Sequence, residues 1–218
     1  MKSLLAALAG LSVVAVAAAA TGDPKKVIKP AVQAQAKAVN VQLLDLPGTG
    51  WAPHASSSSG ETPRCSYYTP NQSDLTESGD ADSPEFTLPT SSFVSSSTGI
   101  FVSATQGRTA YARVVQPALP RCLAEVFRKG TGHPSQVVIV SATAVPFPQL
   151  AERTNAYRIV SDFRVSKKQT VRVTLDVVAM NRGKVDVVVF FAGIGQVFTP
   201  GFERGVVGKV AARMASVR

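Results

Sequence analysis

The stretch "TVRVTLDVVAM" at residues 170–180 decides the fold of this chain, because apolar and polar side chains alternate along it. Every odd position from 171 to 177 holds Val or Leu, and the even positions between them hold Arg172, Thr174 and Asp176. A period of two residues is typical of a β-strand with one face in a core. The pattern therefore predicts a strand of an antiparallel sheet, in which the opposite face is partly wet.

Three similar runs surround this strand. They are "SQVVIVSATAVPF" at 135–147, "NAYRIVSDFRV" at 155–165 and "KVDVVVFFAG" at 184–193. Two short turns flank the strand at 170–180. The polar turn "SKKQ" at 166–169 precedes it, and the glycine-containing turn "NRG" at 181–183 follows it. Runs rich in β-branched residues with tight turns between them predict a four-stranded antiparallel meander.

Helices and short strands are predicted on either side of the meander. Apolar residues at Val32, Ala36, Val39 and Leu43 predict an entry helix with Pro30 in its first turn. A helix broken near Pro117 and Pro120, and a last helix capped by Thr199, are expected from the same spacing. Residues 64–70, 85–97 and 98–106 are predicted to form short strands, and residues 70–85 an acidic loop. The predicted class is α+β, with an antiparallel sheet packed against helices.

The N-terminus is predicted to be an export signal. Lys2 precedes an apolar run from Leu4 to Ala20, and small residues end it. We expect cleavage after Ala20, a linker over 21–29 and a single α+β domain over 30–218, in a secreted or extracytoplasmic protein. An uncleaved membrane anchor is the alternative, because the run approaches the length that spans a bilayer.

The only two cysteines, Cys65 and Cys122, are predicted to form a disulfide. Unpaired thiols are uncommon in oxidising compartments, and closing a loop of this length contributes ~4 kcal/mol in the chain-entropy model. The alternative, a metal site, would need three or four ligands, and His54 and His133 are both distant from the cysteines in sequence. We therefore expect a disulfide and no metal.

The chain is basic, with a formal net charge of +9. No Lys or Arg lies between Cys65 and Gly107, so the positive charge is concentrated elsewhere. The last helix is predicted to carry a basic surface formed by Arg204, Lys209, Arg213 and Arg218. Such a surface would favour peripheral attachment to an anionic envelope, although it is also typical of a solvated face that only maintains solubility. Nucleic acid is not expected as a partner, because no aromatic residues are interleaved with the basic ones.

Few residues suit catalysis. Both histidines lie in proline-flanked loops, and no Gly-x-Ser-x-Gly or phosphate-binding glycine loop is present. Asp162 and Asp176 could face each other across a hairpin, but neighbouring arginines favour charge pairing instead. We expect no enzyme and no cofactor, and a hydrolase acting through His54 or His133 on wall or lipid substrates is the alternative.

The pentapeptide "LPGTG" at 46–50 matches the Leu-Pro-x-Thr-Gly signal that sortases cleave. That signal works near a C-terminus, ahead of an apolar span and a basic tail, whereas 168 residues follow Gly50 here. We therefore interpret the stretch as a turn that ends the entry helix and brings Trp51 to the core.

Two motifs carry a resemblance to a known family. Asp45, Leu46, Pro47, Gly50 and Trp51 form an Asp-Leu-Pro…Gly-Trp turn, and "RCL" at 121–123 lies in a helix. Together with the meander and the last helix, they resemble the PknH-like extracellular sensor-type domain of actinobacterial receptor kinases and its secreted relatives.

The resemblance implies a sheet with helices on one side and a cleft that binds a ligand. This chain has one cysteine pair where kinase-linked members commonly have two, and it carries no kinase. It is expected to be a free-standing binding module for an unknown small molecule, lipid or wall component. A basic structural protein that adheres to the envelope is a further alternative.

Overall fold

The computed structural model describes residues 22–56, 62–89, 92–166, 169–195 and 197–217. The predicted signal peptide and Arg218 lie outside these residues. The described part contains nine strands and four α-helices, in the order β1 (Lys25–Lys26), α1 (Pro30–Val39), β2 (Ala52–His54), β3 (Thr76–Asp82), β4 (Glu85–Leu88), β5 (Ser92–Phe101), α2 (Ala104–Val114), α3 (Leu119–Gly130), β6 (Val137–Val145), β7 (Arg153–Ser166), β8 (Gln169–Arg182), β9 (Val185–Ile194) and α4 (Pro200–Met214). The predicted α+β class is confirmed.

All nine strands join one sheet, whose main path runs β1-β3-β5-β9-β8-β7-β6. The predicted meander is confirmed, since β6 to β9 are successive antiparallel neighbours. Strand β5 attaches the N-terminal strands to β9, and β4 pairs with both β2 and β5. Among the described strands only β1 and β3 pair in parallel.

Helices cover both faces of this sheet, whereas the resemblance implied helices on one side. On one face Val189 and Phe191 of β9 pack in a core with Val206 of α4. On the other face Phe190 packs in a second core with Leu119 of α3. Successive strand residues point to opposite faces, so the two cores lie on opposite sides of β9. The physical reason is the continuous apolar run in β9, which has two faces to bury rather than one.

Two segments predicted to be irregular form strands instead. The acidic loop expected over 70–85 contains β3, and the linker expected over 21–29 contains β1. The pairing of β3 with β5 and β1 supplies backbone hydrogen bonds that the sequence "TESGDAD" does not predict from β-propensity alone. Tertiary pairing therefore outweighs local preference here.

The predicted disulfide between Cys65 and Cys122 is confirmed, with Cα atoms 5.7 Å apart. The segment around Cys65 is a tight turn rather than the predicted strand, because Cys65 and Tyr68 each donate their N–H to the other's carbonyl at 2.9 Å. The bond therefore fastens α3 to a turn and closes the edge of the second core, in which both cysteines are buried.

The last helix begins as predicted. Pro200 is its first residue, and the Thr199 hydroxyl oxygen accepts a hydrogen bond from the Phe202 N–H at 3.2 Å. No helix in the described residues has the length and apolar character needed to cross a membrane.

Helix α2 lies unusually close to the β8–β9 hairpin at Gly107. A Cβ atom added to Gly107 would lie 2.6 Å from the Gly183 carbonyl oxygen and 2.9 Å from the Lys184 Cα. Both neighbours are backbone atoms, which cannot move aside cheaply. We therefore expect Gly107→Ala to lower the free energy of unfolding by about 1–3 kcal/mol, despite alanine's better helix propensity.

Gly205 in α4 is the matched control for this substitution, because a Cβ there would meet no atom within 4 Å. Gly205→Ala should raise the free energy of unfolding by about 0.5–1 kcal/mol. Urea titrations of both variants measure the difference, and equal effects of the two substitutions would contradict the close approach at Gly107.

Candidate binding cleft

A cleft of about 470 Å³ lies between the C-terminal end of α1 and strands β2 to β4. Sites for small molecules in proteins are typically ~300–1,000 Å³, so the volume suits such a ligand. The residues that line the cleft are Lys37, Asn40, Val41, Gln42, Leu43, Pro53, Asp82, Ser83, Pro84 and Phe86.

Asn40, directly after α1, holds the floor of the cleft. Its Nδ2 donates to the Ala81 carbonyl at 2.8 Å, and its Oδ1 accepts from the hydroxyls of Ser96 and Thr98 at 2.9 and 2.7 Å. Asn40 is only 2% exposed, and a buried amide needs such partners. These bonds link α1 to β3 and β5, so they fix the floor rather than offer groups to a ligand.

The next residue, Val41, begins the apolar wall. Its N–H donates to the Ser96 hydroxyl at 2.8 Å, which sets the direction of the chain as it leaves the helix. Val41 and Phe86 are buried in the core behind the cleft, whereas Leu43 is 44% exposed. Pro53 of β2 and Pro84, in the connection from β3 to β4, add further apolar surface. The walls thus combine a fixed inner part with an accessible outer part.

Two oppositely charged residues line the cleft. Lys37 comes from the last turn of α1, and Asp82 from the end of β3. Lys37 is exposed, so its ammonium group is accessible at the rim. An anionic group in the cleft would be attracted to the Lys37 ammonium.

A 3₁₀ turn over Leu43–Asp45 forms the outer lip of the cleft. The Asp45 carboxylate accepts two hydrogen bonds from the Arg213 guanidinium at 2.5 and 3.0 Å, and Asp45 is 5% exposed. Lys209 Nζ donates to the carbonyls of Leu44 and Asp45 at 3.2 and 3.0 Å. Helix α4 therefore holds this lip in place.

These contacts change the predicted basic surface. The Arg213 guanidinium donates hydrogen bonds to the Asp45 carboxylate and to the carbonyls of Val39 and Asn40. It therefore joins α4 to the end of α1 and is not a free surface cation. Arg204 and Lys209 are exposed, and Lys209 lies beside the lip. Arg218 lies outside the described residues.

The "LPGTG" stretch forms a turn, but it does not end the entry helix as predicted: α1 ends at Val39, and the 3₁₀ turn over Leu43–Asp45 lies between them. Gly48 and Gly50 have φ angles of 86° and 92°, which favour glycine, and Trp51 follows them. The Trp51 ring stacks on Phe198 and Phe202 at centroid distances of 6.5 and 6.0 Å. Trp51 is partly buried against the core, and the turn leads the chain into β2 beside the cleft.

A second hollow of about 430 Å³ lies near the disulfide, between the Tyr67 turn and the connection from α2 to α3. Its aromatic groups are already occupied: the Arg121 guanidinium lies 4.3 Å from the centre of the Tyr67 ring, and the Tyr68 hydroxyl donates to the Val114 carbonyl at 2.5 Å. The first cleft offers more unoccupied apolar surface to a ligand.

The aspartates of the meander pair with arginines, as the sequence suggested. Arg172 binds Asp162 through two hydrogen bonds of 2.9 and 3.0 Å, and Arg158 binds Asp176 through two of 2.6 and 2.9 Å. In the β7–β8 register each aspartate stands opposite its arginine, not opposite the other aspartate. The Asp162 pair is solvated, whereas Asp176 is buried.

Glu203 of α4 contacts the Arg158–Asp176 pair. It hydrogen-bonds Asp176, and its Oε1 lies 3.9 Å from the Arg158 Nη2. Burial, the hydrogen bond to Asp176 and the negative charge of Asp176 raise the pKa of Glu203 to about 8. A protonated Glu203 that donates to Asp176 is a structural contact between α4 and the sheet.

Two further acids have raised pKa values: Glu77 of β3, which is buried, and Asp186 of β9, which is half-buried. Burial raises the pKa of Glu77 to about 7, and burial also raises the pKa of Asp186 well above its usual range. Asn181 Nδ2 donates to the Asp186 carboxylate at 2.6 Å. Like the Glu203 cluster, these acids lie away from the cleft.

The two histidines are exposed and do not line the cleft. The described residues contain no group of three or more His, Cys, Asp or Glu side chains placed to hold a metal. No protein-family model matches the sequence, and no curated protein is significantly similar to it. Function is therefore inferred from the cleft itself.

Proposed function

We propose that this protein is an exported, non-enzymatic binding module that holds an amphipathic small molecule in the cleft between α1 and β2–β4. The ligand has an apolar body and an anionic end, as lipids and lipid-linked wall precursors do. The family proposed for the chain, the PknH-like sensor-type domains, is consistent with a free-standing binding role.

The observation that carries the proposal is that Asn40 on the floor is hydrogen-bonded within the protein, whereas the walls offer apolar surface. The polar side chain of the floor, Asn40, is engaged with Ala81, Ser96 and Thr98. We attribute the affinity mainly to apolar burial against the walls, among them Leu43.

The charges of the rim support an anionic end group. Lys37 is exposed at the end of α1, where its ammonium can meet a carboxylate or phosphate. Export is supported by the Cys65–Cys122 disulfide, because such bonds persist in oxidising compartments.

A thermal-shift titration with dihexanoylphosphatidylglycerol below its critical micelle concentration tests this function. We expect the probe to raise the Tm, because it binds the folded state alone. Leu43→Ser should weaken binding about tenfold, since it removes apolar wall surface from contact with the probe. Lys37→Gln should also weaken binding of this anionic probe about tenfold. Binding of dihexanoylphosphatidylcholine, which has no net charge, should change much less in this variant.

The neighbouring residue provides the control. Leu44 is 89% exposed and does not line the cleft, so Leu44→Ser should leave the response to the soluble probe unchanged. Equal loss of binding in both leucine variants, or no response of the wild-type protein, would overturn the proposed site.

A further inference from the structure

Leu44 is the most exposed large apolar side chain in the described residues, at 89%. Its neighbour Leu43 is 44% exposed, so the two leucines form one protruding apolar tip on the 3₁₀ turn. A scattered exposed leucine is ordinary, but two adjacent ones on a well-held turn call for a physical explanation.

The turn that carries the leucines is fixed from behind. Gln42 N–H donates to the Asp45 carboxylate at 2.8 Å, and Arg213 binds the same carboxylate through two hydrogen bonds. Lys209 holds the Leu44 carbonyl at 3.2 Å. With its backbone fastened to α4, the turn cannot fold the Leu44 side chain into the core without breaking these bonds.

One cation contacts the turn that carries the tip, and a second lines the adjoining cleft. The Lys209 ammonium lies beside Leu44 through its hydrogen bond to that residue's carbonyl, and Lys37 lines the cleft together with Leu43. Both lysines are exposed, and the whole chain carries a formal net charge of +9. Apolar side chains that protrude beside cations are the combination that binds an anionic bilayer: the apolar groups enter the interface while the lysines meet the headgroups.

We propose that the Leu43–Leu44 tip docks this protein on anionic lipid bilayers. Two leucines and two lysines give weak and reversible attachment, far from the strength of a spanning helix. The tip is also the outer lip of the cleft, so docking would place the mouth of the cleft at the membrane surface. That last point rests on the proposed function, whereas docking itself does not.

Vesicle co-sedimentation at physiological salt tests the docking. We expect wild-type protein to bind vesicles of equal parts phosphatidylglycerol and phosphatidylcholine, and to bind pure phosphatidylcholine vesicles several-fold more weakly. Leu44→Ser should reduce binding to the mixed vesicles about tenfold or more. Val140→Ser is the matched control, because Val140 is 51% exposed on the edge strand β6, and this variant should bind as the wild type does.

Three results would overturn the proposal: no vesicle binding by the wild type, undiminished binding by Leu44→Ser, or equal losses in Leu44→Ser and Val140→Ser.

Analytical ultracentrifugation adds a fourth, because a wild-type dimer that Leu44→Ser dissociates would assign the tip to a second copy of the chain. The soluble-probe titration of Leu44→Ser keeps the two proposals separate. Probe binding without vesicle binding in the wild type would overturn docking alone, and the reverse would overturn the cleft alone.

Discussion

Reduction of the Cys65–Cys122 disulfide is expected to lower the free energy of unfolding by ~4 kcal/mol, the largest single effect we anticipate. The bond joins residues 57 positions apart, and releasing that loop increases the entropy of the unfolded chain. It also closes the edge of the core between α3 and the sheet, where Cys122 is fully buried. Such a loss is a large part of a typical domain's stability of about 5–15 kcal/mol.

Urea titrations of the wild-type protein with and without reductant measure this loss. The Cys65→Ala/Cys122→Ala variant is the control, because reductant should not change its midpoint. A variant that fails to fold does not affect the test, since the reduced wild-type protein supplies the same comparison. An unchanged wild-type midpoint under full reduction, verified by alkylation of both thiols, would contradict the prediction.

Acidification from pH 8 to pH 5 is expected to stabilise the protein. The pKa values of Glu203 and Glu77 are raised to about 8 and about 7, and that of Asp186 is also raised. In the unfolded chain these carboxyls titrate near their ordinary values, so between the unfolded and folded pKa values the folded state binds more protons. The free energy of unfolding therefore rises as pH falls through this window, by an amount on the order of several kcal/mol.

Carboxylates with lowered pKa values act in the opposite direction, but at lower pH. The arginine beside Asp162 lowers the pKa of that group, and a similar pair lowers the pKa of Asp74. Both are solvent-accessible ion pairs, whose stabilisation is lost only when pH falls below the ordinary aspartate range. Between pH 8 and pH 5, the change in the free energy of unfolding is therefore set by Glu203, Glu77 and Asp186.

Glu203→Gln isolates the contribution of one buried acid. The amide can still donate to Asp176, but it cannot ionise, so the variant should be more stable than the wild type at pH 8 and comparable at pH 5. Denaturant titrations at a series of pH values provide the measurement. Stability that rises from pH 5 to pH 8, or an unaltered pH profile in Glu203→Gln, would show that the acids are not held in the protonated form.

The second half of the fold was predictable because its sequence pattern is strong and local. Alternation in "TVRVTLDVVAM", tight turns at residues 181–183 and the Thr199-Pro200 start of α4 each reflect a short-range physical requirement. The disulfide followed from there being two cysteines in a chain whose N-terminus is predicted to be an export signal. These features need no knowledge of distant contacts.

The first half was less predictable because its strands depend on partners. Strand β3 contains three acids and a glycine, and it is stabilised as a strand by β5 on one side and β1 on the other. The second helical layer was missed for a related reason. Apolar residues on both faces of β9 were present in the sequence, but alternation in β8 suggested one wet face.

The cleft could not be derived from the sequence, since its floor joins three distant segments. Asn40 is hydrogen-bonded to Ala81 in β3 and to Ser96 and Thr98 in β5. No local sequence pattern predicts these hydrogen bonds. Arg213 was predicted to be a surface cation because it recurs at helical spacing with Lys209. Its partner, Asp45, lies 168 positions earlier in the chain.

Binding of an amphipathic molecule between α1 and β2–β4 can be followed in a backbone amide NMR titration with dihexanoylphosphatidylglycerol. We expect saturable chemical-shift changes concentrated at residues 37–43 and 82–86, which Leu43→Ser weakens and Leu44→Ser preserves. Shifts concentrated instead around Tyr67 and Gln116 at the second hollow, or no saturable shifts, would contradict it.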